Sequence, residues 1–496
     1  MRKQTSTKNN TQTLVLGAGY AGITTAALLA HEGRNVTVLE AHDTLGGCAS
    51  FFRRGEYTFD VGATTMSGVL PTQPTGRVFG HLGIMPDLLK QDPGMLVRMP
   101  DRDIVRHASQ ASWIKEMQKH FPVGDQAAFW KEQYRLEHRV WKLVNNQPSL
   151  RPTSAIDWLK LMNPGVLAAL PLVQGLVRPV ATLLARYGVD KDPAFVDFIN
   201  EQLLISTQNT SERAPFLTSA LGLTYPSETY YPIGGMYRPA LKLMRHATEH
   251  GAQMKFRRVV SSIEQMPSGR WDVSCTNGEQ FETDTVVSSI PIWNMNDLTR
   301  GKQASYFDKM ARTNAQSWCA FTMYFALDGI PKLSSQYVQL FLDKKIPGIR
   351  SASVFLSFSH PDDRQRAPLG HTAVTVSTHT LSEDWKGLTA DEHDHKKRQI
   401  MDAVLECIGR RMHECDGMLP LHVQGGTPKT WVTYTRRYEG YVGGLPHDIS
   451  RPMIFMPPNK TPFRGLYMIG DSVFPGQGTS AVMLGAWNTV NRIFAE

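Results

Sequence analysis

Three glycines and one acidic residue carry the first chemistry legible in this chain of 496 residues. Gly17, Gly19 and Gly22 stand in LVLGAGYAGITTAALLAHEGRNVTVLE, residues 14–40, which closes on Glu40. Gly17 permits a tight turn, Gly19 lets backbone approach a pyrophosphate, and Gly22 lets the next helix pack closely on the strand before it. Ala18 and Ala21 belong to the same candidate loop. A carboxylate about 20 residues past the glycines is placed to accept from ribose hydroxyls. A glycine-rich structural turn alone leaves Glu40 unexplained.

A second constellation lies near the other end, in GLYMIGDSVFPGQGTSAVMLGAWNTVNRIF. Gly470 and Asp471 follow a short apolar run, and Asp471 is placed to accept from a sugar-like hydroxyl. Gly478 precedes a helix whose first N–H groups, at Thr479, Ser480 and Ala481, stabilise negative charge on a ring oxygen. Two such sites far apart suit a long cofactor, and FAD fits them better than NAD. Gly46 and Gly47 allow a second close approach of backbone to that cofactor.

The positioning elements follow from pattern. LVLG reads as a strand, the apolar run after Gly22 as a helix, and Val36–Leu39 as a second strand. Tyr57–Val61 is a short strand. Residues 76–235 read as mostly helical, with Glu137 and His138 on a polar, solvated face. Gly251 ends a helix that Gly234 and Gly235 precede. The runs KFRRVVSSIEQ, RWDVSCT and QFETDTVVSSI read as strands, with a type I′ hairpin at Asn277-Gly278. Residues 300–425 alternate strand-like runs with a helix near 393–413, as in a mixed sheet.

A net charge of +8 suits an anionic surface, and the scatter of the basic residues ranks a membrane face above nucleic acid. Five cysteines, with no CxxC, argue against a disulfide framework. The polar start, MRKQTSTKNNTQT, has no apolar core and reads as a disordered lead-in. The prolines and arginines of residues 163–188 forbid a span but allow a broken helix in a bilayer interface, or a helix pair lining a cavity. His379, His393 and His395 fall near acidic residues but match no standard spacing, so no metal is expected.

Taken together, GAGYAG with Glu40, LGGCASFFRRGEYTFDVGA, YPIGGM, the valine strand at Val260 and GDSVFPGQGTSAVMLGA resemble the FAD-dependent carotenoid desaturase and isomerase family, within the glutathione-reductase-like flavoproteins. The resemblance implies an α/β fold: a Rossmann-like FAD-binding domain (1–75, 236–300 and 426–496) interleaved with an α+β substrate-binding domain (76–235 and 301–425), with membrane-contact helices at 160–190. It implies that Gly17, Gly19 and Gly22 meet the pyrophosphate and Glu40 the adenosine ribose. Gly46, Gly47, Gly62 and Ala63 would lie along FAD, and Val260 would offer backbone to adenine. Asp471 would hold the ribityl chain, and Gly478 to Ala481 the pyrimidine edge of the ring.

Cys48 stands where bacterial-type phytoene desaturases usually carry Arg, and reads as a small apolar residue. With FDVGA and GDSVFPGQG it resembles more the branch of carotene isomerases, terminal desaturases and retinol saturases. The expected activity is a carotenoid desaturase on the inner, cytoplasmic face of a membrane, with an isomerase or saturase as alternative. An amine-oxidase-like flavoenzyme and a non-enzymatic prenyl-binding escort are the other readings. No acid or base is singled out, and the electron acceptor is open.

Overall fold

Five short strands from distant parts of the chain build one parallel sheet. In space they run Gln253–Lys255, Val36–Leu39, Thr13–Leu16, Thr285–Ser288, Leu466–Met468. Numbered along the chain the order is 3-2-1-4-5, that of a doubly wound dinucleotide-binding sheet. Four of the strands are short and fully buried because both faces are covered, while the edge strand Gln253–Lys255 is polar and partly exposed. The helices Tyr20–His31, Tyr237–Glu249 and Thr479–Ala495 pack on it through Ile23, Ala27, Ala240, Leu243, Met483 and Val490. The computed structural model describes residues 13–145, 151–153, 155–161 and 170–496. The lead-in before Thr13 and residues 163–169 of the candidate membrane segment lie outside them.

A second, seven-stranded sheet runs Pro420–Gly426, Cys319–Leu327, Thr372–Thr380, Ser353–Phe358, Tyr337–Phe341, Met95–Arg98, Asp103–Arg106. It is antiparallel except where Tyr337–Phe341 meets Met95–Arg98. The mixed sheet expected from 300–425 is therefore present, with the helix Ala390–Arg411 beside it. Its last two strands come from a region read as mostly helical. There MLVRMPDRDIVR forms a hairpin, closed by Met99 N–H donating to Arg102 O at 2.9 Å.

Two strand-like runs turn out to be divided between sheets. KFRRVVSSIEQ breaks at Arg257, whose φ is +57°, and continues as Val260–Gln265 in a three-stranded antiparallel sheet. QFETDTVVSSI breaks at Asp284, leaving Gln280–Thr283 in that small sheet and Thr285–Ser288 in the parallel one. The hairpin at Asn277-Gly278 exists but is not type I′. Gly278 N–H donates to Cys275 O at 3.0 Å, so Thr276 and Asn277 form the turn. Gly278 alone takes positive φ, +86°, as a bulge.

Against the seven-stranded sheet, at Ala320, Ser353, Phe355 and Thr378, lies a cavity of about 520 Å³. The helices Gln126–Asn145, Pro193–Thr207 and Phe216–Thr224 wall it on one side, and the loop after Thr435 with the start of Thr479–Ala495 closes another. Among the described residues no helix is long and apolar enough to cross a membrane.

Candidate cofactor and substrate site

The first glycine turn is built by contacts that exclude side chains. Gly17 has φ +93°, and a Cβ there would lie 2.3 Å from Ser289 Oγ. A Cβ on Gly22 would fall 1.9 Å from Gly17 O. Gly19 caps the helix Tyr20–His31 and has no side chain with which to bond its first N–H groups. A Cβ on Gly19 would meet nothing nearer than Gly47 Cα at 3.9 Å. Gly46 pairs with Gly19 in an isolated bridge and donates its N–H to Ala18 O at 2.9 Å. The two glycine loops thus form one cradle open at a helix N-terminus, a shape and polarity that fit a pyrophosphate. Ala18 and Ala21 are buried beneath it.

Glu40 closes this cradle. Its Oε2 accepts from Ala18 N–H at 2.6 Å and its Oε1 from His42 N–H at 2.8 Å. Burial raises its pKa, and the backbone donors pull it back. The segment leading to Val260 is bound to the same place: Arg258 N–H donates to Glu40 O at 2.8 Å and Arg257 N–H to His42 O at 3.0 Å.

From the cradle the backbone leads directly to the cavity. Cys48 follows Gly47, and a Cβ on Gly62 would lie 2.7 Å from Cys48 O, so only glycine lets these strands of chain meet. Gly62 and Ala63 line the cavity, as do Gly478, Thr479, Ser480 and Ala481. Gly478, at φ +94°, caps the helix Thr479–Ala495 without a side-chain cap and has open space where a Cβ would be. Ser480 Oγ is committed to Ser67 O at 2.7 Å.

Asp471 is held by an ion pair. Arg437 binds both of its oxygens, at 2.9 and 2.8 Å. Gly470 beside it, at φ +100°, turns the chain out of the strand. Cys48 sits against this pair instead of in an apolar niche. Burial raises its thiol pKa while Arg437 opposes the rise, so the thiol stays protonated at neutral pH.

The cavity lining corrects a second reading. Glu137 does not face solvent. It is half-buried, lines the cavity and accepts from Trp141 Nε1 at 3.3 Å. Burial raises its pKa, favouring the neutral acid. The polar pattern of its helix hid this, because that face packs on Phe216–Thr224. Glu228, the other lining carboxylate, is paired with Lys90 at 3.0 Å. No lysine or arginine lines the cavity among the described residues. Burial holds His379 and His447 at about 4, hence neutral. Both ring nitrogens of His447 are shielded and have no hydrogen-bond partner among the described residues.

His393 and His395 take no part: Thr389 and Glu392 form a capping box, and His393 bonds Thr427 Oγ1 at 3.0 Å. Arg437, His447 and Glu137 were not legible as site residues, since no fixed spacing links them to a glycine motif.

The whole of this architecture has relatives. The family profile described as flavin containing amine oxidoreductase matches residues 20–493. The chain belongs to that family. It is an FAD-dependent oxidoreductase. It is 26% identical to prolycopene isomerase 1 of an Oncidium hybrid cultivar, over 97% of this chain and 84% of the relative. It is 23% identical to a 4,4'-diapophytoene desaturase of Methylomonas, over 96% and 93%. A solved oxidoreductase from Methanosarcina mazei shares the fold, with TM-score 0.64 at 17% identity over 98% of this chain and all of the other. The carotenoid desaturase and isomerase resemblance is thus what the relatives show.

Proposed function

We propose that this enzyme acts on a carotenoid-like polyene, by desaturation. The observation that carries the reading is the extent of the likeness. Relatives named for prolycopene and diapophytoene align over 96–97% of the chain, so the segments that wall the cavity are matched as well as the glycine turn. Isomerisation is the second reading, favoured by the 26% identity to a prolycopene isomerase. Amine oxidation is disfavoured by the lining: burial raises the pKa of the Glu137 carboxyl and Glu228 is paired with Lys90, which suits an ammonium group poorly.

In this reading the unit around the parallel sheet is of the glutathione-reductase-like type, and segments 76–235 and 301–425 form the substrate domain. FAD would be held by the cradle of Gly17 to Gly22 with Gly46 and Gly47, by Glu40 and Val260 at the adenosine end, and by Asp471 at the ribityl chain. Its ring would lie against Gly62, Ala63 and Gly478 to Ala481. Bound there, FAD supplies the acceptance of hydride that desaturation requires. The chain does the rest. The apolar walls exclude water and align the polyene. The N–H groups behind Gly478 favour negative charge at that end of the cavity. The proton lost from the neighbouring carbon passes to a weak base, which is enough because a carbon beside an allylic cation is strongly acidic.

Exposed apolar residues adjoining the cavity lining in sequence support delivery from a bilayer. Leu176 and Ile454 line the cavity, and next to them Val173, Val177 and Phe455 are exposed, Phe455 at 63%. Arg151 Nε donates to Ile454 O at 2.6 Å, and Trp158 and Leu159 are exposed at 57% and 70%. We read these residues as the peripheral contact with the inner, cytoplasmic side of a membrane.

The test is expression in hosts that make different acyclic carotenes, with products read by mass and absorption. Loss of two hydrogens is the expected result. An altered spectrum at constant mass makes it an isomerase. No change with any carotene overturns the polyene assignment.

A further inference from the structure

Four histidines from three helices meet on a face that contributes nothing to the cavity. His31 ends the helix Tyr20–His31, His81 ends Pro74–His81, and His246 and His250 sit on the last turn and at the C-cap of Tyr237–Glu249. Each stands at a helix C-terminus, where the helix dipole is negative and favours a cation.

The rings are arranged as donors. His31 Nδ1 lies 3.0 Å from His246 Nε2. The ring centroids of His246 and His250 are 4.1 Å apart, and those of His31 and His250 are 5.3 Å apart. One ligand nitrogen from each of the three lies within 4.8 Å of the others. For comparison, nitrogens around tetrahedral zinc are separated by about 3.4 Å. His250 is already in the ligating tautomer. Its Nδ1 bonds His246 O at 2.8 Å, a carbonyl can only accept, and Nε2 therefore carries the lone pair. Beside the cluster, Glu32 and His81 pair at 3.2 Å and supply a further carboxylate and imidazole.

We propose that His31, His246 and His250 bind one divalent ion of the zinc, copper or nickel type, which clamps the C-terminal ends of the helices Tyr20–His31 and Tyr237–Glu249. Three imidazoles with an open fourth position suit these borderline ions and not magnesium or calcium. Ring rotations of ångström scale bring the three nitrogens onto one centre. The clamp joins two helices that share the core beneath the glycine cradle, so its effect is on the stability of the FAD-binding half.

The pair His246 and His250 is at helical i, i+4 spacing, but His31 is far away in sequence. Spacing alone therefore gave no metal site.

The experiment uses the full-length, flavin-loaded protein, without an affinity tag and stripped of metal. Copper(II) binding is measured by titration and by electron paramagnetic resonance, and the melting temperature is followed with zinc. We expect one tightly bound copper per chain with nitrogen hyperfine structure, and a higher melting temperature with zinc. H246Q and H250Q are expected to weaken copper binding by about tenfold or more, with flavin content and carotene turnover unchanged as the check on folding. Equal copper affinity in the wild type and both variants, or a spectrum without nitrogen ligands, overturns the proposal.

Discussion

Arg437 reaches both oxygens of Asp471 through a single guanidinium nitrogen, at 2.9 and 2.8 Å, and the two side chains are only 11% and 19% exposed. The pair ties the loop after the helix Pro428–Thr435 to the end of the fifth parallel strand. Removing one partner leaves a charge in a poorly hydrated place. Asp471→Ala is expected to lower stability by about 3 kcal/mol and to reduce bound flavin, as read by urea unfolding and by flavin content. Unchanged stability would show that Arg437 finds water or another acceptor.

The glycine cradle makes a steric prediction with an internal control. Gly22→Ala places a methyl 1.9 Å from Gly17 O and is expected to abolish flavin retention. Gly80, also helical, has nothing within 4 Å of the place a methyl would occupy and no positive φ. Gly80→Ala is expected to raise stability by about 0.5–1 kcal/mol, because alanine loses less backbone entropy in a helix. Flavin fluorescence after gel filtration and thermal melts separate the two outcomes.

Two neutral histidines set the acid side of the stability curve. His379 and His447 titrate at about 4 in the folded chain and near 6.5 when unfolded. Between those values the unfolded chain binds more protons, so stability rises with pH there, by about 1.4 kcal/mol per unit for each histidine. Below pH 4 this contribution to the slope ends. Urea midpoints measured between pH 4 and 6.5 check this, and His447→Gln is expected to remove one histidine's share of the slope.

The exposed apolar residues Trp158 and Leu159 predict lipid dependence. Trp158→Ser with Leu159→Ser is expected to cut co-sedimentation with anionic vesicles severalfold while changing stability by less than about 1 kcal/mol, since both residues are at the surface. Equal co-sedimentation would show that these residues do not meet lipid.

Much of the nucleotide-binding half was legible because its demands are local. Gly17, Gly19, Gly22 and Glu40 are fixed by one strand–turn–helix–strand unit, and the structure brings them together with Gly46 and Gly47. Gly478 with Thr479 was legible for the same reason. Residues whose environment is set by distant segments were not. Glu137 looks like a solvated helix residue until Phe216–Thr224 packs against its face. The strand Met95–Arg98 acquires its sheet only from Tyr337–Phe341, more than two hundred residues later in the chain. Arg257 splits a continuous strand pattern because Glu40 and His42 capture the backbone there, a tertiary constraint that alternation of side chains does not record.

The most direct test of the whole is the chromophore. The chain is purified in its native state, denatured, and the released flavin identified and quantified against protein. The expected result is a yellow protein that releases FAD in a one-to-one ratio, with the ratio collapsing in Gly22→Ala. A colourless protein that releases no flavin and takes none up on reconstitution would contradict it.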